Sequence, residues 1–142
     1  MALEPGDQTW NERVIEDFHR NGGRVTFAPY VGANLLLLTS TGAKSGTPQV
    51  APLGYTREGE RYVVVGSNSG RPVNADWVAN VRAHPIVRLE IGTETFSARG
   101  MVTDGAERDR LFEAHATALP YFRKYAAMAP RELPVVTFER VD

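Results

Sequence analysis

The sequence predicts an α+β, mainly β domain in which an antiparallel sheet or barrel is flanked by helices. Short segments rich in apolar and β-branched residues, several of them alternating with polar ones, indicate about six strands. Most of their connections are too short for a crossover helix, which argues against a doubly wound parallel sheet. A chain of 142 residues without a linker or internal repeat fits a single domain, residues 1–142.

An amphipathic helix is predicted first, over about residues 8–21. Trp10, Val14 and Phe18 recur at four-residue spacing and form one apolar face, and the pair Gly22-Gly23 ends the helix. This stripe is typical of a face that packs on a core or covers a cleft. Contact with a membrane surface is the alternative.

Three strands are predicted next. Leu35–Thr41 is a short apolar run that reads as a buried strand, and Val50–Arg57 and Arg61–Gly66 flank the turn Glu58-Gly59-Glu60 as a hairpin. Asn74 is predicted to cap a helix that runs to about Arg82.

The rest of the chain alternates again between hairpin and helix. Ile86–Ile91 and Thr95–Val102 surround Gly92-Thr93 and predict a second hairpin. Asp104 and Glu107 have the spacing of a capping box, which opens a helix through about Leu119. A short aromatic helix and a closing strand complete the prediction, at Tyr121–Met128 and Pro134–Val141.

The loop between the first two strands carries the clearest binding chemistry. Thr41–Thr47 contains two glycines, Lys44 and three hydroxyl residues, so it can offer N–H groups, hydroxyls and a cation to an anion. The plainer interpretation is a solvated turn. The polar loop Gly66–Gly70 has the same two interpretations, and Trp77 after it is either a core residue or the wall of a flat ligand.

Composition leaves little intrinsic catalytic machinery. There is no cysteine, and the three histidines fall in separate predicted elements without carboxylates at ligand spacing, so we expect no metal site. Phosphate-loop, dinucleotide-binding and nucleophile-elbow motifs are absent. A net charge of −1 without a basic run gives no reason to expect nucleic acid. If the protein is an enzyme, a bound cofactor supplies the difficult chemistry.

Several segments together resemble a known family. They are, in chain order, L-L-T-S-T-G-A-K-S-G-x-P-x-V-x-P-L (Leu37–Leu53), the turn Gly59-Glu60-Arg61-Tyr62, Gly66-Ser67-Asn68, N-x-D-W-x-x-N-x-R-A-x-P (Asn74–Pro85) and R-E-x-P-V-V (Arg131–Val136). Their order resembles that of the deazaflavin-dependent nitroreductase family, which consists of F420H2-dependent reductases with a split β-barrel. The resemblance covers about residues 35–139.

The resemblance implies coenzyme F420, whose phosphate and oligoglutamate tail are anionic, and hydride transfer to a quinone, enone or nitro compound. No catalytic side chain is assigned. The positions that match cofactor contacts are Lys44, Ser45 and Gly46 for the charged end, Pro52, Leu53 and Gly54 for the ring, Ser67 and Asn68 for the ring or ribityl chain, and Trp77 and Asn80 on the adjoining helix. Leu119, Phe122 and Tyr125 match the aromatic segment beside the acceptor.

The sequence departs from the family pattern at three places. Gln49 and Asn68 stand where basic residues are common, which predicts weaker contact with the anionic cofactor. Tyr125 alone keeps a hydroxyl among the three matched acceptor positions, which favours a bulky apolar quinone over a nitro compound. The spacing of the aromatic residues in this segment has two interpretations, a helix that packs on the barrel and an apolar lid over a binding cleft.

Two other functions remain open from the sequence. One is an FMN-binding split-barrel reductase, and the other is a non-catalytic carrier of a lipid or other apolar ligand. The N-terminal residues show no basic-then-apolar pattern, so we expect no secretory signal and a cytoplasmic protein, with peripheral membrane contact as an option. A homodimer is a further option for this fold.

Overall fold

The computed structural model describes residues 8–26, 34–70 and 72–141. Residues 1–7, on which the expectation about a secretory signal rests, lie outside the described residues. The helices are α1 (Gln8–Arg20), α2 (Asp76–Ala83), α3 (Gly105–Ala118) and α4 (Tyr121–Met128). The strands are β1 (Leu35–Thr41), β2 (Pro48–Gly54), β3 (Thr56–Glu58), β4 (Arg61–Val65), β5 (Ile86–Ile91), β6 (Glu94–Val102) and β7 (Val135–Arg140).

The strands of the described residues form one antiparallel sheet in the order β2-β1-β5-β6-β7-β4-β3. Tyr55 alone separates β2 from β3, although these are the two edge strands. Seven strands laid flat would set the two edges about 29 Å apart at ~4.8 Å a strand, and one residue spans only a few ångströms. The sheet is therefore curled into a half-barrel, and the expectation of an antiparallel barrel with flanking helices is confirmed.

Three differences separate this structure from the predicted elements. The predicted strand Val50–Arg57 begins earlier and is broken at Tyr55, so seven strands replace six. Asn74 does not cap α2: the helix begins at Asp76 after Ala75, and the Asn74 amide oxygen accepts a hydrogen bond from Arg131 instead. Asp104 is the N-cap position of α3 but makes no side-chain capping hydrogen bond.

Three apolar cores hold the helices on the sheet. The core inside the curl combines strand residues such as Leu36 and Phe138 with Trp77 of α2. On the outside, α3 and α4 pack over Val63 and its neighbours, and α1 packs over another part of β1 through the stripe Trp10, Val14 and Phe18. Those three residues are buried, so the core interpretation of the stripe is confirmed.

Candidate cofactor site

A cavity of about 540 Å³ lies along the edge strand β2. Six consecutive residues of the strand, Gln49 to Gly54, line it. Side chains alternate between the two faces of a strand, so an unbroken run can border one cavity only when the cavity follows the strand's edge. The opposite walls come from the end of β4, the loop before α2 and helix α4.

The free edge of β2 has a defined pattern of donors. The N–H of Tyr55 donates to the Asn34 carbonyl oxygen at 3.0 Å and the Gly42 N–H to the Thr47 carbonyl oxygen at 2.8 Å, so the odd-numbered positions face β1. The even-numbered ones then point away from it. Pro48 and Pro52 are even-numbered, which suits an edge strand because proline has no N–H to leave unpaired.

Only Val50 and Gly54 therefore offer N–H groups along this edge. Neither group donates to an acceptor within the described residues. Because carbonyl oxygens lie beside them at the same edge, the strand presents alternating donors and acceptors to whatever occupies the cavity. A planar heterocycle that carries both kinds of group suits such an edge.

Asn80 fastens one end of the cavity. Its buried side chain accepts a hydrogen bond from the Ala43 N–H at 2.9 Å and donates to Ser40 Oγ at 3.1 Å and Gln49 Oε1 at 2.8 Å. These bonds join α2 to the loop between β1 and β2 and to the first cavity-lining residue. We name this part of the site, built from Ser40, Ala43, Gln49 and Asn80, the loop end.

Arg131 fixes the wall between β4 and α2. Its guanidinium donates to the carbonyl oxygens of Ser67 at 3.1 Å and Val73 at 3.0 Å, and to Asn74 Oδ1 at 2.5 Å. Burial lowers the pKa of this arginine. Asn68 adopts a left-handed backbone with φ of 47° and donates from Nδ2 to the Val73 carbonyl oxygen at 3.0 Å. The loop is thus held from within and from the segment before β7.

Helix α4 forms the other end of the cavity, which we name the aromatic end: Tyr121, Phe122 and Tyr125. The Phe122 ring lies 4.7 Å from that of Tyr121 and 5.8 Å from that of Tyr125, measured between centroids. A Cβ atom on Gly54 would lie 3.2 Å from the Tyr121 hydroxyl oxygen. The glycine therefore lets the hydroxyl approach the end of β2.

A buried histidine supports the aromatic end from behind. His115 Nδ1 lies 2.7 Å from Thr56 Oγ1, and its ring meets Phe122 edge-on at 4.5 Å between centroids. His115 Nε2 has no hydrogen-bond partner in the described part of the chain. Burial lowers the pKa of His115 to about 4, so the ring is neutral at pH 7 and plays a packing role.

Eight of the residues matched to family contacts line the cavity: Pro52, Leu53, Gly54, Ser67, Asn68, Trp77, Phe122 and Tyr125. Five do not: Lys44, Ser45, Gly46, Asn80 and Leu119. Lys44, Ser45 and Gly46 are exposed in the loop between β1 and β2. Asn80 lies behind the loop end, and Leu119 is half-buried beside α3 and α4. Trp77 belongs to the inner core as well as to the cavity wall.

The predicted contacts left out four polar residues of the cavity wall: Asn11, Asn74, Asp76 and Tyr121. Gln49 also lines the cavity, at a position where the sequence predicted a weakened contact with the cofactor. Asn11 directly follows Trp10 of the apolar stripe, so its place at the border of a buried helix face was a usable signal. Asp76 is the only acidic or basic side chain among the described lining residues. The cavity wall is otherwise apolar or neutral.

The fold and the site together indicate the class of protein to which this chain belongs. A curled antiparallel sheet with a largely neutral cavity along its edge strand is the architecture of a split-barrel protein that binds a flat cofactor. No group of three or more histidine, aspartate or glutamate side chains in residues 8–26, 34–70 and 72–141 is placed to hold a metal ion. None of the helices in those ranges is long and apolar enough to cross a membrane.

The chain belongs to the F420H(2)-dependent quinone reductase family, whose model matches residues 10–140. It is therefore an oxidoreductase, and membership implies coenzyme F420 as cofactor. An F420H(2)-dependent quinone reductase of Mycobacterium tuberculosis (strain ATCC 25618 / H37Rv) is 31% identical over 124 residues, which cover 85% of this chain and 80% of the relative. The resemblance seen in the sequence is confirmed.

Comparison with solved structures agrees with this family assignment. An F420-H2 dependent reductase (FDR-A) matches with a TM-score of 0.68 and 31% identity, over 75% of this chain and 94% of that chain. A domain-swapped dimer matches with a TM-score of 0.69 and 30% identity, over 90% and 92% of the two chains. A FAD-binding protein from Mesorhizobium loti, at 15% identity and a TM-score of 0.56, shares the fold alone.

Proposed function

We propose that this protein transfers hydride from F420H2 to a quinone, with the deazaflavin ring along β2 and the acceptor against the aromatic end. The cavity along the edge strand is the observation that carries the proposal. The reduced deazaflavin supplies the hydride when it is bound. The protein's part is to position the donor and acceptor and to exclude water.

The residues present fit such a cofactor. A deazaflavin ring has an imide edge with both N–H and carbonyl groups, and the free edge of β2 offers the complementary N–H groups of Val50 and Gly54 beside carbonyl oxygens. Trp77 and the apolar side chains of Pro52 and Leu53 suit the flat faces of the ring. At the loop end the exposed Lys44 is available to the anionic tail.

The acceptor's place follows from the direction of β2. Gln49 lies beside Asn80 at the loop end and Gly54 beside Tyr121 at the aromatic end, so the strand connects the two ends. A ring bound along β2 leaves the rings of Tyr121 and Phe122 and the hydroxyl of Tyr125 for the acceptor. Apolar rings with a few polar groups suit a quinone, whose carbonyl oxygens accept hydrogen bonds.

Titration with F420 tests the proposal, because binding changes the fluorescence of the cofactor. We expect saturable binding at micromolar cofactor, and F420H2 oxidation that depends on added naphthoquinone. No binding in that range would overturn the proposal. Purified protein that is yellow with flavin absorbance would favour the FMN-binding alternative, and co-purified lipid without turnover would favour the carrier.

Peripheral membrane contact forms part of this proposal. Val50, Val73 and Tyr121 line the cavity and are 41%, 65% and 41% exposed, so its mouth has an apolar rim. Met128 of α4, 57% exposed, contacts the same loop near Gly70. An apolar rim would let a cytoplasmic protein accept a quinone from the membrane interface. Co-sedimentation with anionic phospholipid vesicles should fall for Val73→Asp relative to wild type, and equal sedimentation would contradict this contact.

A homodimer is also proposed, since one relative of similar fold is a domain-swapped dimer. Light scattering after size-exclusion chromatography measures the mass directly. A mass near 31 kDa, twice the 15.6 kDa of the chain, is expected, and the mass of a single chain over the working concentration range would contradict it.

A further inference from the structure

Helix α1 brings one polar side chain, that of Asn11, to the wall of the cavity. Among the described residues, Asn11 is the one member of α1 that lines the cavity. Its neighbour Trp10 is buried against the sheet, whereas Asn11 is half-buried. Within residues 8–26, 34–70 and 72–141, the Asn11 amide makes no hydrogen bond. An amide that lies at a cavity wall without a partner in the protein is placed to bind a ligand.

The C-terminal end of α1 is fixed over the β5–β6 hairpin. His19 Nε2 lies 2.8 Å from Glu90 Oε1 of β5. Just past the helix, Gly23 approaches the hairpin turn so closely that a Cβ atom on it would lie 2.3 Å from Gly92 Cα. Because β1 lies between β5 and β2 in the sheet, this end of the helix is two strands away from the cavity edge.

The length of α1 carries Asn11 across those two strands. From His19 to Asn11 the helix rises about 12 Å, at ~1.5 Å a residue. Two strand spacings of ~4.8 Å amount to about 10 Å. The helix also contacts β2, so its N-terminal end lies over the edge of the sheet. A helix on the outer face of the curl therefore reaches a cavity that follows the free edge of β2.

The level at which α1 crosses the sheet places Asn11 near the aromatic end. The apolar stripe of α1 packs on Leu35 and Leu37 of β1. In the register of the sheet, these two residues pair with Gly54 and Pro52 of β2. Among the described residues, the other half of β1, towards Thr41, contributes nothing to this core. Asn11 therefore enters the cavity beside the half of β2 that leads to the aromatic end.

We propose that Asn11 is an acceptor-binding residue, whose side-chain N–H donates a hydrogen bond to a quinone carbonyl oxygen. The inference rests on the proposed function, which puts the quinone at the aromatic end. A quinone that gains a hydride, which is two electrons and one hydrogen, becomes a quinol anion. A solvent proton then completes the quinol, and oxidation of the cofactor releases the matching proton. The Asn11 amide stabilises the negative charge that develops on the quinone oxygen.

Asn11→Leu tests the hydrogen bond, because leucine keeps the size of the side chain and removes its donor. At saturating F420H2, we expect kcat/KM for a methylnaphthoquinone to fall about tenfold, while the dissociation constant for F420 changes less than about twofold. Methylnaphthalene has the same apolar body without carbonyl groups. Its inhibition constant against the quinone should stay within about twofold of that of wild type, because it has no oxygen for Asn11 to bind.

Two further variants sharpen this test. In Asn11→Asp, a carboxylate oxygen replaces Nδ2 in a side chain of nearly the same shape and repels the quinol anion. We expect kcat/KM for the quinone to fall by more than in Asn11→Leu, about a hundredfold. Asn21→Leu is the matched control, since Asn21 lies just past the other end of α1 and does not line the cavity. It should leave both constants within twofold.

The outcomes separate this inference from the proposed function. If wild type oxidises F420H2 with the quinone and Asn11→Leu does so equally well, the inference is overturned and the proposed function stands. A matching rise in the inhibition constant of methylnaphthalene also overturns it, because the change would have altered the shape of the cavity. A loss confined to F420 binding would mean that Asn11 contacts the cofactor, which likewise contradicts the inference. If wild type neither binds F420 nor reduces the quinone, the proposed function fails and the inference fails with it.

Discussion

The two ends of the cavity are held by different forces. At the loop end, Asn80 makes three directional hydrogen bonds that fix the backbone of Ala43 and the side chains of Ser40 and Gln49. At the aromatic end, Phe122 is held mainly by ring contacts, including one with a neutral histidine. Hydrogen bonds impose one geometry, whereas apolar contacts tolerate several. On the proposed function, the loop end is therefore a rigid contact for the cofactor, and the aromatic end is an adaptable contact for the acceptor.

The largest effect is expected from Asn80→Leu, which removes the three hydrogen bonds that hold the loop end. The change leaves Ala43 N–H without its acceptor in a partly buried place and frees Gln49. We expect the free energy of unfolding to fall by about 3 kcal/mol, roughly 1 kcal/mol for each hydrogen bond. The dissociation constant for F420 should rise more than about tenfold. Urea unfolding and fluorescence titration measure the two effects.

Asn21→Leu is the matched control, since Asn21 is an exposed asparagine at the end of α1 that bonds only to Asp17 among the described residues. It should change cofactor affinity less than twofold. If Asn80→Leu behaves like this control in the titration, the loop end does not position the cofactor.

Acid should weaken the aromatic end through His115. Its pKa is about 4 in the folded protein and near 6.5 when the chain is unfolded, so the unfolded chain binds the extra proton between those values. Stability is therefore lost as the pH falls through this window, by about 2 kcal/mol between pH 7 and pH 4.5. Urea unfolding of wild type and His115→Leu at both pH values measures the difference.

The titration of Glu58 contributes little to the pH dependence of stability between pH 7 and pH 4.5. Hydrogen bonds from Arg110 and Arg61 lower the pKa of Glu58 to about 2. The stability it contributes is present above its unfolded pKa of about 4.5 and is lost at lower pH than the histidine window. Equal slopes for wild type and His115→Leu between pH 7 and 4.5 would show that His115 is not buried in the neutral form.

The smallest expected effect is that of Tyr125→Phe. Loss of one hydroxyl at the aromatic end should lower kcat/KM for a naphthoquinone about threefold and leave the F420 dissociation constant within twofold. Steady-state assays at saturating F420H2 measure it. A larger loss of cofactor affinity than of kcat/KM would mean that Tyr125 contacts the cofactor and not the acceptor.

Local sequence patterns predicted most helices and strands, but they did not predict how distant strands come together in the sheet. The spacing of apolar residues predicted α1, and the two strands of the β5–β6 hairpin begin and end within one residue of the predicted positions. The break at Tyr55 and the closing of the two sheet edges depend on contacts between distant strands. Asn74 was a reasonable cap by residue type, yet Arg131, distant in sequence, takes its oxygen.

The site residues that lie in contiguous sequence segments could be predicted, whereas those placed by packing between distant elements could not. The family resemblance marked eight residues that line the cavity, because these residues lie in short contiguous stretches of the chain. The place of Asn80 behind the cavity, and its hydrogen bond to Gln49, depend on how α2 meets the loop after β1. The positions of Asn11 and Tyr121 likewise require the packing of α1 and α4 around β2.

On the proposed function, the cavity holds a reduced deazaflavin and a quinone at the same time, the deazaflavin along β2 and the quinone at the aromatic end. The most direct measurement is an anaerobic single turnover, in which protein saturated with F420H2 is mixed with naphthoquinone and the absorbance of F420 is followed. We expect one equivalent of F420 per cofactor site, at a rate that saturates with quinone concentration. Oxidation no faster than that of free F420H2 under the same conditions would contradict the claim.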